Sequence, residues 1–249
     1  MFTACFDASG HESDQPYLAV GGFISSRRDW NDFDMEWRDR LAFDGLQYFR
    51  MVDFSHSTNQ FVSWKGQEPR RQNLLSDLLR IIDKHAYRKF GQIVDIGAIG
   101  GNLSDQIRMD YKLSAYVLAA RTCAGNVRQW TFQNSISSFE LVFEDGDVGK
   151  GNLIERLRKD AFPNISFKPK KDAVKDGIPE YGFTPLQAAD IWAYELFQTC
   201  KRENLSRWPM QQLMRIPGDI IGIYDPKSVK ELDIRIQQIN LGSTFQGIK

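Results

Sequence analysis

Gly182–Cys200, GFTPLQAADIWAYELFQTC, is the stretch whose reading decides the fold. Thr184, Pro185 and Gln187 form the pattern of a capping box with proline at the first helical position, so a helix is expected to start here. Leu186, Ala189, Ala193, Leu196 and Cys200 recur at helical spacing and predict one buried face. Asp190 projects close to that face, between Leu186, Ala193 and Phe197. A carboxylate beside an apolar stripe is costly unless something pairs with it. A metal ion is one such partner, and its other ligands must come from elsewhere in the chain.

Outward from this helix, strands and helices alternate. Ile165–Lys168 reads as a short strand leading into a basic loop, and Asn152–Ala161 as a helix. Ser138–Glu144, SFELVFE, is apolar on both faces at its centre, as a central strand requires, and ends in Glu144, Asp145, Gly146 and Asp147. At the other end of the chain, Phe2–Asp7 and Tyr17–Ser25 predict a hairpin with a long, turn-rich loop. Trp30, Phe33, Trp37 and Leu41 place an amphipathic helix over Asp29–Phe43. Leu46–Arg50 reads as a short strand, and Met51–Gln67 as an ordered aromatic loop. Pro69 opens a helix whose buried face is Leu74, Leu75, Leu78, Leu79, Ile81 and Ile82. Gln92–Ile99 is expected to be a strand closed by Gly100 and Gly101, and Asp110–Ala124 a helix. Asp225 and Pro226 start a last helix with Val229, Leu232, Ile236 and Ile239 on one face. The pattern predicts a single mixed α/β domain over 1–249, with its core at about 1–202 and a C-terminal helical extension at 203–249.

Bulk properties narrow the function. With 42% hydrophobic and 26% charged residues, the 249-residue chain can bury a full core. No apolar run approaches the roughly 18 residues that span a bilayer, so no membrane partner is expected. MFTACFDASG lacks the basic and long apolar segments of a signal peptide. Cys5, Cys123 and Cys200 fit neither a disulfide framework nor a metal-binding pair, which points to a reducing, cytoplasmic setting. A formal net charge of zero argues against coating nucleic acid through a global positive field, but not against a local basic groove.

Three acids share a structural logic. Asp7 ends the first strand, Glu144 or Asp145 ends the central strand, and Asp190 faces inward on the late helix. Acids at the ends of adjacent strands converge at one sheet edge, and a helix packed on that sheet adds a third. Such a cluster repels itself unless cations neutralise it. Oxygen ligands suit Mg²⁺ or Mn²⁺. Strand alternation places Glu140, Val142 and Glu144 on one face and Asp145 on the other, so Glu144 is preferred, Asp145 comes second, and Asp147 reads as a turn residue. Gln187 and Tyr194, three and four residues from Asp190 along the helix, are placed to orient its carboxylate or a water on the metal. Lys168, Lys170 and Lys171 precede that helix and are candidates for contact with a phosphate backbone. His11, His56 and His85 show no mutual metal spacing.

FDASG followed by YLAVGGFIS, the motif LQAADIWAYE, and the segment YFRMVDFSHSTNQFVSW resemble the family catalogued as domain of unknown function 3800. The resemblance runs from about Phe2 to Cys200. It implies a ribonuclease H-like fold, a mixed β-sheet flanked by helices, with carboxylates that bind divalent metal. By that resemblance Asp7 is the first-strand ligand, Glu144 or Asp145 the central-strand acid, and Asp190 the late-helix ligand. Members carry Asp-Glu-Ser-Gly at the first strand, and Ala8 stands where that Glu is expected.

The expected function is a metal-dependent nuclease in which a metal-activated water attacks a phosphodiester. A phosphohydrolase with Asp7 as nucleophile is disfavoured, because Ser9 stands where its second acid belongs. The rival is a catalytically silent module of the same fold that binds nucleic acid, a protein partner or a second copy of itself.

Overall fold

The computed structural model describes residues 1–175, 177–202, 207–218 and 222–246. Two strands open the chain, β1 (Phe2–Ser9) and β2 (Tyr17–Ser26), followed by α1 (Arg27–Phe43), α2 (Met51–His56), a 3-10 turn over Asn59–Trp64, and α3 (Glu68–His85). Then come β3 (Arg88–Asp95), α4 (Ile96–Asn102), α5 (Asp105–Asp110), α6 (Ala115–Gln133), β4 (Phe139–Glu144), α7 (Lys150–Lys159) and β5 (Asn164–Lys168). The remainder is a small hairpin of β6 (Ala173–Lys175) and β7 (Ile178–Glu180), then α8 (Pro185–Arg202), α9 (Trp208–Leu213), β8 (Gly222–Tyr224) and α10 (Pro226–Gln246).

Six strands form one mixed sheet in the order β5-β4-β1-β2-β3-β8. The β1–β2 and β2–β3 pairs are antiparallel, whereas β1–β4, β4–β5 and β3–β8 are parallel. The architecture is therefore α/β and starts with the expected hairpin. Alternation along each strand feeds two cores. Ala4, Phe6, Leu18, Val20 and Phe143 pack under α4, α6, α7 and α10, while Cys5, Ala19, Phe23 and Val142 pack under α1, α3 and α8. Among the described residues no helix is long and apolar enough to cross a membrane.

α8 is buried on every side from Pro185 to Gln198, not on one face only. The sheet lies beneath it, and α1, α2 and α9 surround it. Two glycines permit this. A Cβ on Gly21 would stand 2.8 Å from the Ala193 backbone nitrogen and from the Trp192 ring, and one on Gly91 would meet Leu196 at 2.7 Å. Gly21 and Gly91 are register partners, so the close approach runs across two adjacent strands. Trp192 Nε1 donates to the Phe90 carbonyl at 2.7 Å, and buried Glu195 accepts from Arg207 at 2.8 and 2.9 Å. The expected capping box does not form. The Thr184 hydroxyl donates to Asp34, and the Gln187 amide is used elsewhere.

Several boundaries differ from expectation for local reasons. Leu46–Arg50 is not a strand, because side chains take its backbone bonds: Phe49 N donates to Gln187, and Gln47 N to Gln60. The aromatic loop folds into α2 and the 3-10 turn, whose Phe54, Phe61 and Trp64 rings pack edge to face. β3 ends at Asp95, whose carboxylate accepts from Ala98 N and starts α4, so Gly100 and Gly101 lie inside a helix. The helix expected over Asp110–Ala124 is broken where Ser114 caps α6. The C-terminal segment is more than a helical extension, since β8 adds a strand beside β3; its residues 203–206, 219–221 and 247–249 lie outside the described residues. Ile239 is exposed, unlike Val229 and Ile236.

Gly21→Ala should therefore lower stability by about 1–3 kcal/mol in urea unfolding, the range for overpacking a close contact. Gly100→Ala, in open space within α4, should instead be neutral or stabilising by up to about 1 kcal/mol.

Candidate functional site

Parallel pairing of β1 with β4 sends both strands to the same sheet edge. Phe6 is the register partner of Phe143, so Asp7 and Glu144 are next to each other on adjacent strands. Strand parity turns both toward α8. Asp145, one residue on, pairs with Lys150. Gly146 then takes φ +127°, a left-handed conformation favouring glycine, and the chain reverses so that Asp147 returns to the cluster. One carboxylate oxygen from each of Asp7, Glu144 and Asp147 lies within 4.8 Å of the others.

Asp190 sits beside this group but is engaged otherwise. Its Oδ2 accepts from the Met51 backbone N–H at 2.5 Å and its Oδ1 from Lys170 Nζ at 2.8 Å. Lys170 also reaches Asp7 Oδ2 at 2.6 Å and Glu144 Oε2 at 3.0 Å. The three acids read from the sequence therefore do meet, with a buried ammonium among them. This corrects the reading of Lys170 as a lysine facing a phosphate backbone. Lys168, the register partner of Glu144, and Lys171 place their ammonium groups 4.3 Å from the Phe183 ring and 5.1 Å from the Tyr48 ring.

Gln187 acts through Lys170 rather than on Asp190 directly. Its Nε2 donates to the Lys170 carbonyl at 2.6 Å, while its Oε1 accepts from Trp37 Nε1 and Phe49 N, both at 2.8 Å. Tyr194 is buried at the cleft wall, with the Arg207 guanidinium 6.0 Å from its ring.

The cluster forms part of the wall of a cleft of about 800 Å³, which Glu144, Asp147, Lys170 and Asp190 line. Exposed Arg50, Lys201 and Arg202 also line it, together with exposed Glu12 and Asp14, so the rim carries both signs around an acidic centre. Two buried polar groups stand in the cleft wall: the Tyr116 hydroxyl, which faces the Asp147 carboxylate, and Gln198 Oε1, which has no hydrogen-bond partner among the described residues. Neither followed from the sequence. Tyr116 lies in the first turn of α6, where an aromatic residue looks like core.

Electrostatics follow from burial and crowding. Burial, reinforced by Glu144 and opposed by Lys170, pushes the Asp7 carboxyl up to about 7. Burial and the Asp7 charge do the same for Asp147, also to about 7. Burial raises Asp190 too, against the attraction of Lys170. Burial disfavours the Lys170 charge, yet Asp190, Asp7 and Glu144 hold its ammonium well above the ordinary lysine value. The arrangement can bind a hard cation or hold protons, and its neighbours can meet a polar ligand in the cleft. Searches of protein-family models, curated proteins and solved structures give no match for the chain.

An unfolded Asp titrates near 3.9. Between about pH 4 and 7 the folded chain thus binds more protons at Asp7 and Asp147 than the unfolded one, so their contribution to stability falls as pH rises through that window. In EDTA, Asp147→Asn should gain thermal stability relative to wild type between pH 5 and 8. A pH-independent difference between the two would contradict these assignments.

Proposed function

We propose that this chain is a divalent-metal-dependent hydrolase of phosphodiester bonds in nucleic acid, with a ribonuclease H-like fold akin to the domain of unknown function 3800 family. The observation that carries the reading is the convergence of Asp7, Glu144 and Asp147 at the cleft. The donor set fits the ion: all three donors are carboxylate oxygens, the ligands of Mg²⁺ and Mn²⁺. Two of the three acids, Asp7 and Glu144, already hold a positive group, the Lys170 ammonium. Asp190, expected as a ligand, serves better as the anchor of Lys170, since both its oxygens are taken.

A divalent ion held there supplies Lewis acidity toward a water and a phosphate oxygen. The protein's own groups do the rest. In hydrolysis a water oxygen bonds to phosphorus, the ester P–O bond breaks with its electron pair on the leaving oxygen, and the water proton passes to a carboxylate. Glu144 and Asp147 line the cleft, so an oxygen of either that does not hold the ion would take that proton, which solvent then returns to the leaving oxygen. Arg50, Lys201 and Arg202 replace the basic loop as the groups that position the phosphate backbone.

One observation favours the silent-module reading. Lys170 already neutralises part of the charge on Asp7, Glu144 and Asp190 without any metal. Mn²⁺ titration with an oligonucleotide cleavage assay separates the two. The hydrolase binds Mn²⁺ and cleaves RNA, DNA or hybrid oligonucleotides. Asp7→Asn and Asp147→Asn, while still folded, should lose about a hundredfold or more in turnover. A protein that retains oligonucleotides but neither binds Mn²⁺ nor cleaves would be the silent module.

A further inference from the structure

Lys170 shares its carboxylates with the candidate metal position. Its ammonium donates to Asp7 and Asp190 at 2.6 and 2.8 Å and forms an ion pair with Glu144 at 3.0 Å. Asp7 and Glu144 also belong to the group with Asp147. Two sets of three acids therefore share Asp7 and Glu144. The set completed by Asp190 surrounds the ammonium, and the set completed by Asp147 is the candidate metal group. This is the connectivity of a two-metal carboxylate site, with an ammonium in one of its places.

The ammonium is fixed there from several directions. Gln187 Nε2 holds the Lys170 carbonyl at 2.6 Å, and the Phe183 N–H holds the Pro169 carbonyl at 2.8 Å. Gln187 is itself locked between Trp37 and Phe49 N. The second Asp190 oxygen is tied to Met51 N at 2.5 Å, so Asp190 cannot turn to the other position without breaking that bond. Asp147, on the other side, is outside the Lys170 ion pairs, and the buried Tyr116 hydroxyl faces its carboxylate in the cleft wall.

We propose that Lys170 is a permanent second cation of the site, so that the chain binds one divalent ion, at Asp7, Glu144 and Asp147, and never a pair. The inference rests on the hydrolase reading and makes it specific. The ammonium supplies its fixed positive charge from inside the cleft wall, through the carboxylates it holds, where a second metal would otherwise sit.

The test is Mn²⁺ stoichiometry of the full chain by calorimetry, with electron paramagnetic resonance of the bound ion. One Mn²⁺ per chain with the spectrum of an isolated ion is the expected result. Two Mn²⁺ per chain, or a spin-coupled pair, would overturn the role of Lys170 and leave the hydrolase reading standing. No binding at all would overturn both. In Lys170→Met the stoichiometry should rise from one to two, and a folded variant still binding one ion would remove the ammonium from the cation position. Should that variant not fold, the wild-type stoichiometry decides alone.

Discussion

One buried ammonium ties together parts of the chain that are far apart in sequence. Lys170 Nζ joins the end of β1, the end of β4 and the middle of α8 through Asp7, Glu144 and Asp190. Each of these carboxylates, taken alone out of water, would carry a desolvation penalty of several kcal/mol. They coexist because they share a counter-ion, and because Asp7 and Asp147 retain protons to unusually high pH. Negative charge still exceeds positive charge within the cluster, since four acids face one lysine. The position of Lys170 is therefore a requirement of the fold as much as a feature of the site.

The sheet creates this crowding. Parallel β1, β4 and β5 end at the same edge, and open α/β sheets bind ligands in the crevice beyond the carboxyl ends of such strands. α8 could not bring Asp190 to that edge if Gly21 and Gly91 had side chains. Asp7 is the register partner of Gly21, so one row across the sheet carries the acid and the glycines that let the helix approach it. Packing and chemistry are set by the same three strands.

Much of this was legible because it depends on short-range pattern. The hairpin, β4 and the late helix follow from alternation, apolar continuity and helical spacing. Asp190 stood out as an acid among apolar neighbours, and strand parity separated Glu144 from Asp145. Other features depend on long-range placement. Asp147 rejoins the cluster only because Gly146 adopts a left-handed φ, which a turn sequence allows but does not dictate. Lys170 looks like Lys168 and Lys171 until β5 and α8 bring its side chain inside. Gln187 matched a capping box, yet tertiary partners claimed its amide. Leu46–Arg50 carried a strand-like composition, but side-chain amides satisfied its backbone in place of a neighbouring strand.

The charge pattern of the cleft bears on what it could hold. A phosphate drawn in by Arg50, Lys201 and Arg202 would meet an acidic floor and be repelled by it. Lys170 alone cannot reverse that repulsion, because its single charge is already shared among three carboxylates. A ligand that is anionic at the rim therefore needs added positive charge at the floor. Protons on Asp7 and Asp147 supply neutrality but no attraction, whereas a divalent ion supplies both. A rim with Arg50, Lys201 and Arg202 beside Glu12 and Asp14, around a crowded floor rich in carboxylates, is thus better matched to a phosphate accompanied by a cation than to either partner alone.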